Sequence, residues 1–345
     1  MSKDSPILFE KRGVAGFIRL NRQQTLNAVD GAMLRALNDQ LDQWEADDSI
    51  ARIVIGAVAG RAFSAGGDIR HLYEAGTSGS FDFDFFAHEY ALNARIAKFP
   101  KPYVALVDGI AMGGGVGISF HGSHVVAGEN LSFAMPEVGI GFFPDVGASH
   151  LLSRLPGHTG VYLGLTGNRI GQQDALWCGL ATHACSKERL PVLTAALEEE
   201  GDVNAILQAH SDQAGPSELS DLQPQIEEIF RGDSIKAIIE TAQSKAATSP
   251  FASRCLQKLQ EKCPTSLAVA LEQISRGAHL DIDACMKMEY RILCRMLPRS
   301  DFYEGIRAAI IDKDGKPAWS PASHEEVGTI SGFFDELGNK ELALQ

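Results

Sequence analysis

Twice in its N-terminal third this chain runs from an apolar, strand-like stretch into a cluster of glycines. ARIVIGAV (51–58) precedes Gly66 and Gly67, and PYVALVDGIA (102–111) precedes Gly113, Gly114 and Gly115. Short apolar runs bounded by turn signals read as buried strands, and strand, turn and helix recurring at similar spacing indicate a mixed α/β fold. Where glycine leaves the main chain bare, amide N–H groups can reach an oxygen that turns negative during reaction. An oxyanion hole needs two converging donors, which two facing glycine loops could supply. Glycine runs also permit tight turns, so the pattern alone leaves both uses open.

Before these units, ILFEKRG (7–13) and AGFIRLNR (15–22) read as strands joined by a glycine turn, followed by a capped helix from about Asn27 to Ala46. GGGVGISFHG opens a helix, and HVVAGE and LSFAM read as short strands. From about Ser153 helices with glycine stops dominate. Residues 211–224, SDQAGPSELSDLQP, are the best linker candidate. They divide the chain into a core, 1–210, and a mainly helical region, 225–345, whose helical character is expected to reach Gly338–Leu344.

A net charge of -13 disfavours a nucleic-acid partner, whose phosphates an acidic surface repels. With 45% hydrophobic residues and no long apolar run, the chain is not expected to span a membrane. Six cysteines without a CxxC pair fit reduced thiols, and an N-terminus carrying Asp4 is unlike an acid-poor transit peptide. The expectation is a cytoplasmic protein, or a mitochondrial one from which a presequence has been removed.

Three carboxylates are candidates for chemistry. Glu137 follows Pro136 at the end of LSFAM, where it could project beyond a sheet edge or simply favour a helix start. Asp145, in FFPDVGASH, could be catalytic or cap the next helix. Glu89 falls on the apolar stripe formed by Phe81, Phe85, Leu92 and Ile96. An acid facing a core is costly unless paired, so Glu89 is either functional or part of a structural ion pair. His121 and His124 form an HxxH that reads as structural, and no metal is expected. The chain has no GxGxxG for a dinucleotide and no GxSxG nucleophile elbow.

FSAGGDI (63–69), MGGGVGISFHG (112–122) and AMPEVGIGFFPDVGASHLLSRLPG (134–157) together resemble the crotonase (enoyl-CoA hydratase/isomerase) superfamily, over residues 8–190. FAHEYALN, MEYR and DFYEGIRAAIIDKD extend the resemblance, through the C-terminal third, to its 3-hydroxyisobutyryl-CoA hydrolase family. The resemblance implies a spiral of ββα units with a mainly helical C-terminal region. It implies a short-chain acyl-CoA thioester hydrolase of valine catabolism, with acyl-CoA as substrate, no separate cofactor and a possible homo-oligomer. Gly67 and Gly114 would donate the oxyanion N–H groups. Glu137 would attack the thioester or activate water, Asp145 would protonate the leaving thiolate or orient water, and Glu89 would hold the acyl hydroxyl. Arg70 and Lys313 would meet the CoA phosphates beside Gly67, although exposed cations are more often merely solvated. Hydratases of the superfamily usually carry glycine where this chain has Asp145, and a second glutamate where it has Gly117. Both departures oppose hydration or isomerisation, which is the alternative reading; a non-catalytic acyl-CoA-binding protein is a third.

Overall fold

The computed structural model describes residues 5–344; Asp4 lies outside them. Among the described residues nine strands form two sheets. The larger has the order β1 (Ile7–Arg12), β2 (Ala15–Leu20), β3 (Arg52–Ala57), β5 (Tyr103–Val107), β7 (His124–Gly128), β9 (His183–Cys185). Only its β1–β2 hairpin is antiparallel; the other pairings are parallel. The smaller sheet, β4 (Ala62–Ser64), β6 (Ile110–Met112) and β8 (Ser132–Ala134), is parallel throughout. Successive turns of the chain thus lay one strand in the large sheet and the next in the small one. A helix or helical turn closes each: α2 (Ile69–Thr77), α4 (Gly114–Gly117) and the 3₁₀ turn Glu137–Ile140. This is the expected ββα repeat.

Alternation fixes what each face of the large sheet buries. Ile18, Ile53, Ile55 and Ala105 face the main core, while Phe17, Val54, Val104 and Val126 pack with Leu193 of α8 (Leu190–Ala196) and Leu207 of α9 (Val203–His210). Helices α1 (Gly31–Glu45) and α3 (Phe83–Ala97) cover the first face. Along the chain, α5 (Ala148–Leu152), α6 (Thr159–Thr166) and α7 (Gln172–Trp177) lie between β8 and β9. The later helices are α10 (Glu218–Phe230), α11 (Ile235–Lys245), α12 (Pro250–Glu261), α13 (Pro264–Gly277), α14 (Ile282–Met296) and α15 (Ser300–Ile306). One apolar cluster runs from Ile7 to Leu342, so these helices share the core of the sheets. No described helix is long and apolar enough to cross a membrane.

Several boundaries differ from the sequence reading for local reasons. The first helix begins at Gly31, not near Asn27, because Leu26 and Asn27 hold φ of 54° and 55° and Asp30 caps the helix through Ala32 N and Met33 N. PYVALVDGIA is two strands in different sheets, bent at Gly109, where φ is 90°. The linker ends at Ser217, which caps α10; that helix continues through Pro224. After Ile311 the described residues form only short 3₁₀ turns, in keeping with Gly315, Pro317, Pro321, Gly328 and Gly332.

Candidate active site

The parallel register of the small sheet brings three chain ends side by side: Ala62 pairs with Ile110, which pairs with Ser132. Beyond β4 the chain enters Gly66 and Gly67, beyond β6 Gly113 and Gly114, and beyond β8 Pro136 and Glu137. Ligands of parallel α/β sheets bind at such carboxyl ends. A cavity of about 180 Å³ opens there, lined by both glycine pairs, Glu89, Glu137 and Asp145, with apolar walls that include Phe86, Phe142 and Phe302.

The glycine loops are in backbone contact. Gly66 (φ 107°) and Gly113 (φ 47°) adopt conformations that favour glycine, and a methyl at Gly66 would lie 3.2 Å from Met112 O and 3.7 Å from Gly114 N. One at Gly114 would lie 3.5 Å from Gly67 N. Gly67 N meets no acceptor among the described residues, and Gly114 begins α4, whose first N–H groups have no intrahelical partner. The two amides thus come from different loops held in close backbone contact.

Three carboxyls surround them. Glu137 opens its 3₁₀ turn, and a methyl at Gly113 would lie 3.2 Å from Glu137 Oε1, which sets this carboxyl against the glycine loop. Glu89 projects inward from α3; a methyl at Gly114 would collide with its Oε1. No ion pair holds Glu89 among the described residues, so the salt-bridge alternative fails. Glu89 Oε1 and Glu137 Oε2 are buried without a hydrogen-bond partner. Asp145 does not cap α5: Gly147 occupies the cap position, and no side chain caps that helix. Asp145 Oδ2 instead accepts a hydrogen bond from Tyr90 Oη at 2.9 Å.

Burial dominates the electrostatics. Loss of water pushes Glu89 and Glu137 well above the ordinary glutamate range, and the nearby Asp145 charge pushes each further. Burial raises Asp145 to about 7, against the opposing donation from Tyr90. Asp145 thus changes charge near neutrality, the range acid–base chemistry needs, while Glu89 and Glu137 hold their protons more tightly than ordinary glutamates.

Arg70 lies on the exposed side of α2, one residue after the cavity-lining Ile69. Lys313 (φ 57°) is exposed just beyond the π-helical turn Arg307–Ile311, whose Ile310 also lines the cavity. Neither makes an ion pair among the described residues, and neither lines the cavity itself. His121 Nε2 pairs with Val146 O at 2.7 Å, and His124 Nε2 with Asn204 Oδ1 at 3.0 Å; both sit in hydrogen bonds. At Gly117 a side chain would strike Asn93, whose Cγ lies 2.9 Å from the position of a Cβ.

Sequence reasoning missed Tyr90 and Glu289. Glu289, fully buried on α14, accepts from Gly147 N at 2.7 Å and from Ser149 N at 2.9 Å, and from the Ser149 hydroxyl. It lies on the buried stripe Cys285, Glu289, Ile292, Met296, the same signal that singled out Glu89.

A ββα spiral with facing glycine loops over buried acids defines the crotonase class of acyl-CoA proteins. The chain belongs to the enoyl-CoA hydratase/isomerase family, whose model matches residues 15–331. It is 42% identical to 3-hydroxyisobutyryl-CoA hydrolase, mitochondrial, from Xenopus tropicalis, over 99% of this chain and 92% of that one. Among solved structures, an enoyl-CoA hydratase from Rhodobacter sphaeroides shares 39% identity at a TM-score of 0.92, covering 99% of this chain and all of that one. A carnitinyl-CoA dehydratase from Mycobacterium thermoresistibile shares 35% at 0.93, covering 100% and 99%.

Proposed function

We propose that this protein hydrolyses the thioester of a short 3-hydroxyacyl-CoA, with 3-hydroxyisobutyryl-CoA as substrate, in valine breakdown. The observation that carries the reading is Asp145 facing the same cavity as Glu137 and the glycine loops, while Asn93 fills the space a second acid would need at Gly117. Near-full-length similarity to a hydrolase supports it. The cavity of about 180 Å³ is well below the roughly 300–1,000 Å³ of whole drug-sized ligands, which suits an acyl group with the CoA outside. Arg70 and Lys313, on the elements that frame the cavity, meet the CoA phosphates.

The thioester oxygen accepts from Gly67 N and Gly114 N. Glu137, against the glycine loop, supplies the electron pair to the carbonyl carbon, directly or through a water it deprotonates. As the tetrahedral intermediate collapses, the carbon–sulfur bond breaks and Asp145 gives its proton to the thiolate. In the direct route, water then cleaves the acyl–Glu137 anhydride and returns a proton to Asp145. Tyr90 favours the charge on Asp145 in the free protein, so substrate binding must move the proton from Glu137 to Asp145. Glu89, with an unpaired buried oxygen, binds the substrate hydroxyl. The relative's name supports a mitochondrial placement over a cytoplasmic one.

The test is thiol release from 3-hydroxyisobutyryl-CoA beside loss of crotonyl-CoA absorbance, for wild type and Glu137→Gln. Thiol release that the substitution lowers by about 10²–10⁴ supports the reading. Crotonyl-CoA hydration without thiol release would replace it with a hydratase, and ligand-induced stabilisation without turnover would replace it with a binding protein.

A further inference from the structure

We infer that Glu289 is a positioning residue for the reaction, fixing the backbone turn that presents Asp145; this rests on the role proposed for Asp145. Asp145 sits on a turn, Pro144–Gly147, in which Val146 holds φ of 53° and Gly147 φ of 85°. A β-branched residue in the left-handed region is an outlier that persists only where its surroundings over-determine it. The turn is held from separate elements. His121 Nε2 meets Val146 O at 2.7 Å, Gln273 Nε2 of α13 donates to Pro144 O, and Glu289 of α14 accepts from Gly147 N at 2.7 Å.

Glu289 is the only one of the three that grips both the turn and the helix after it. Its Oε2 takes Gly147 N, while Oε1 takes Ser149 N and the Ser149 hydroxyl, so all three donors require oxygen acceptors. It is fully buried and does not line the cavity, so it acts through Asp145 and not on substrate. The neighbouring Tyr290 packs edge-on against Tyr90, the donor to Asp145, with ring centroids 6.4 Å apart. Helix α14 thus fixes Asp145 by its backbone and buttresses the hydroxyl that meets its carboxylate.

Glu289→Gln replaces one acceptor with an NH₂ that faces an N–H donor, at nearly constant size. The experiment measures kcat and KM for thiol release from 3-hydroxyisobutyryl-CoA in wild type, Glu289→Gln, Asp145→Asn and the double variant. The expected result is a fall in kcat of about tenfold or more for Glu289→Gln, with KM within about twofold, and a further change below about twofold when Asp145 is already Asn. Unchanged kcat, or the same fall in both backgrounds, would overturn the inference. If Glu289→Gln does not fold, Ser149→Ala decides: it removes only the hydroxyl contact, should lower kcat by a smaller factor, and should likewise have no effect beside Asp145→Asn. Full turnover by Asp145→Asn alone would instead overturn the assignment of Asp145 and the inference with it.

Discussion

At the Asp145 carboxyl two influences oppose one another: burial raises its proton affinity, and the Tyr90 hydroxyl lowers it by donating to the carboxylate. The reacting pair holds one proton and Glu137 keeps its own well above the ordinary glutamate range, so loss of the Asp145 proton near 7 forms the reactive state and kcat/KM rises with pH through about 7. Tyr90→Phe removes the donor, raises the proton affinity of Asp145 and should move that acidic limb to higher pH; a pH–rate profile that stays in place would count against Asp145 as a member of the reacting pair. The proposed oxyanion donors, Gly67 N and Gly114 N, cannot be deleted by substitution, but they can be displaced. Gly114→Ala sets a methyl against Glu89 Oε1, and should lower kcat by about 10²–10³, the cost of losing one such donor. Steady-state kinetics beside a circular dichroism spectrum would check that the loss is catalytic.

Helix α3 does three jobs from one short stretch. Glu89 enters the cavity, Tyr90 holds Asp145, and Asn93 fills the space over Gly117. Helical geometry makes this possible, since residues three and four apart share a face while the intervening one points elsewhere. Gly117→Ala should overpack this contact and destabilise the protein by about 1–3 kcal/mol, measured by urea denaturation. Gly117→Glu should give no crotonyl-CoA hydration, because the added acid has no room beside Asn93.

Across the whole molecule, three buried carboxyls, Glu89, Glu137 and Asp145, line one cavity and a fourth, Glu289, grips the turn that carries Asp145, with no cation paired to any of the four among the described residues. Each has its proton affinity raised by burial, Asp145 to about 7 and Glu289 to about 8. A carboxyl that binds protons more tightly when folded makes stability fall as pH rises from its unfolded value to its folded one. For Asp145 that window runs from about 4 to about 7. The stability of Asp145→Asn relative to wild type should therefore climb across it, by as much as about 4 kcal/mol, and level off above. Urea titrations of both proteins at a series of pH values read this directly; a flat difference would show that Asp145 is ionised as easily folded as unfolded.

Much of this was legible in the order of residues. Strand runs ending in glycine, the acid after Pro136, and an acid on the apolar stripe of α3 each left a local signal, because bare backbone and buried charge are too costly to occur without reason. Where the first helix starts and that Pro224 lies inside α10 were not legible, since tertiary packing outweighs weak local propensities. Nor could the sequence decide whether Asp145 caps a helix or faces the cavity. That depended on Tyr90, 55 residues away, and Glu289 grips the same turn from 142 residues beyond Gly147. A hydrogen bond between distant segments leaves no periodicity to read, and only the folded chain brings its donor to its acceptor.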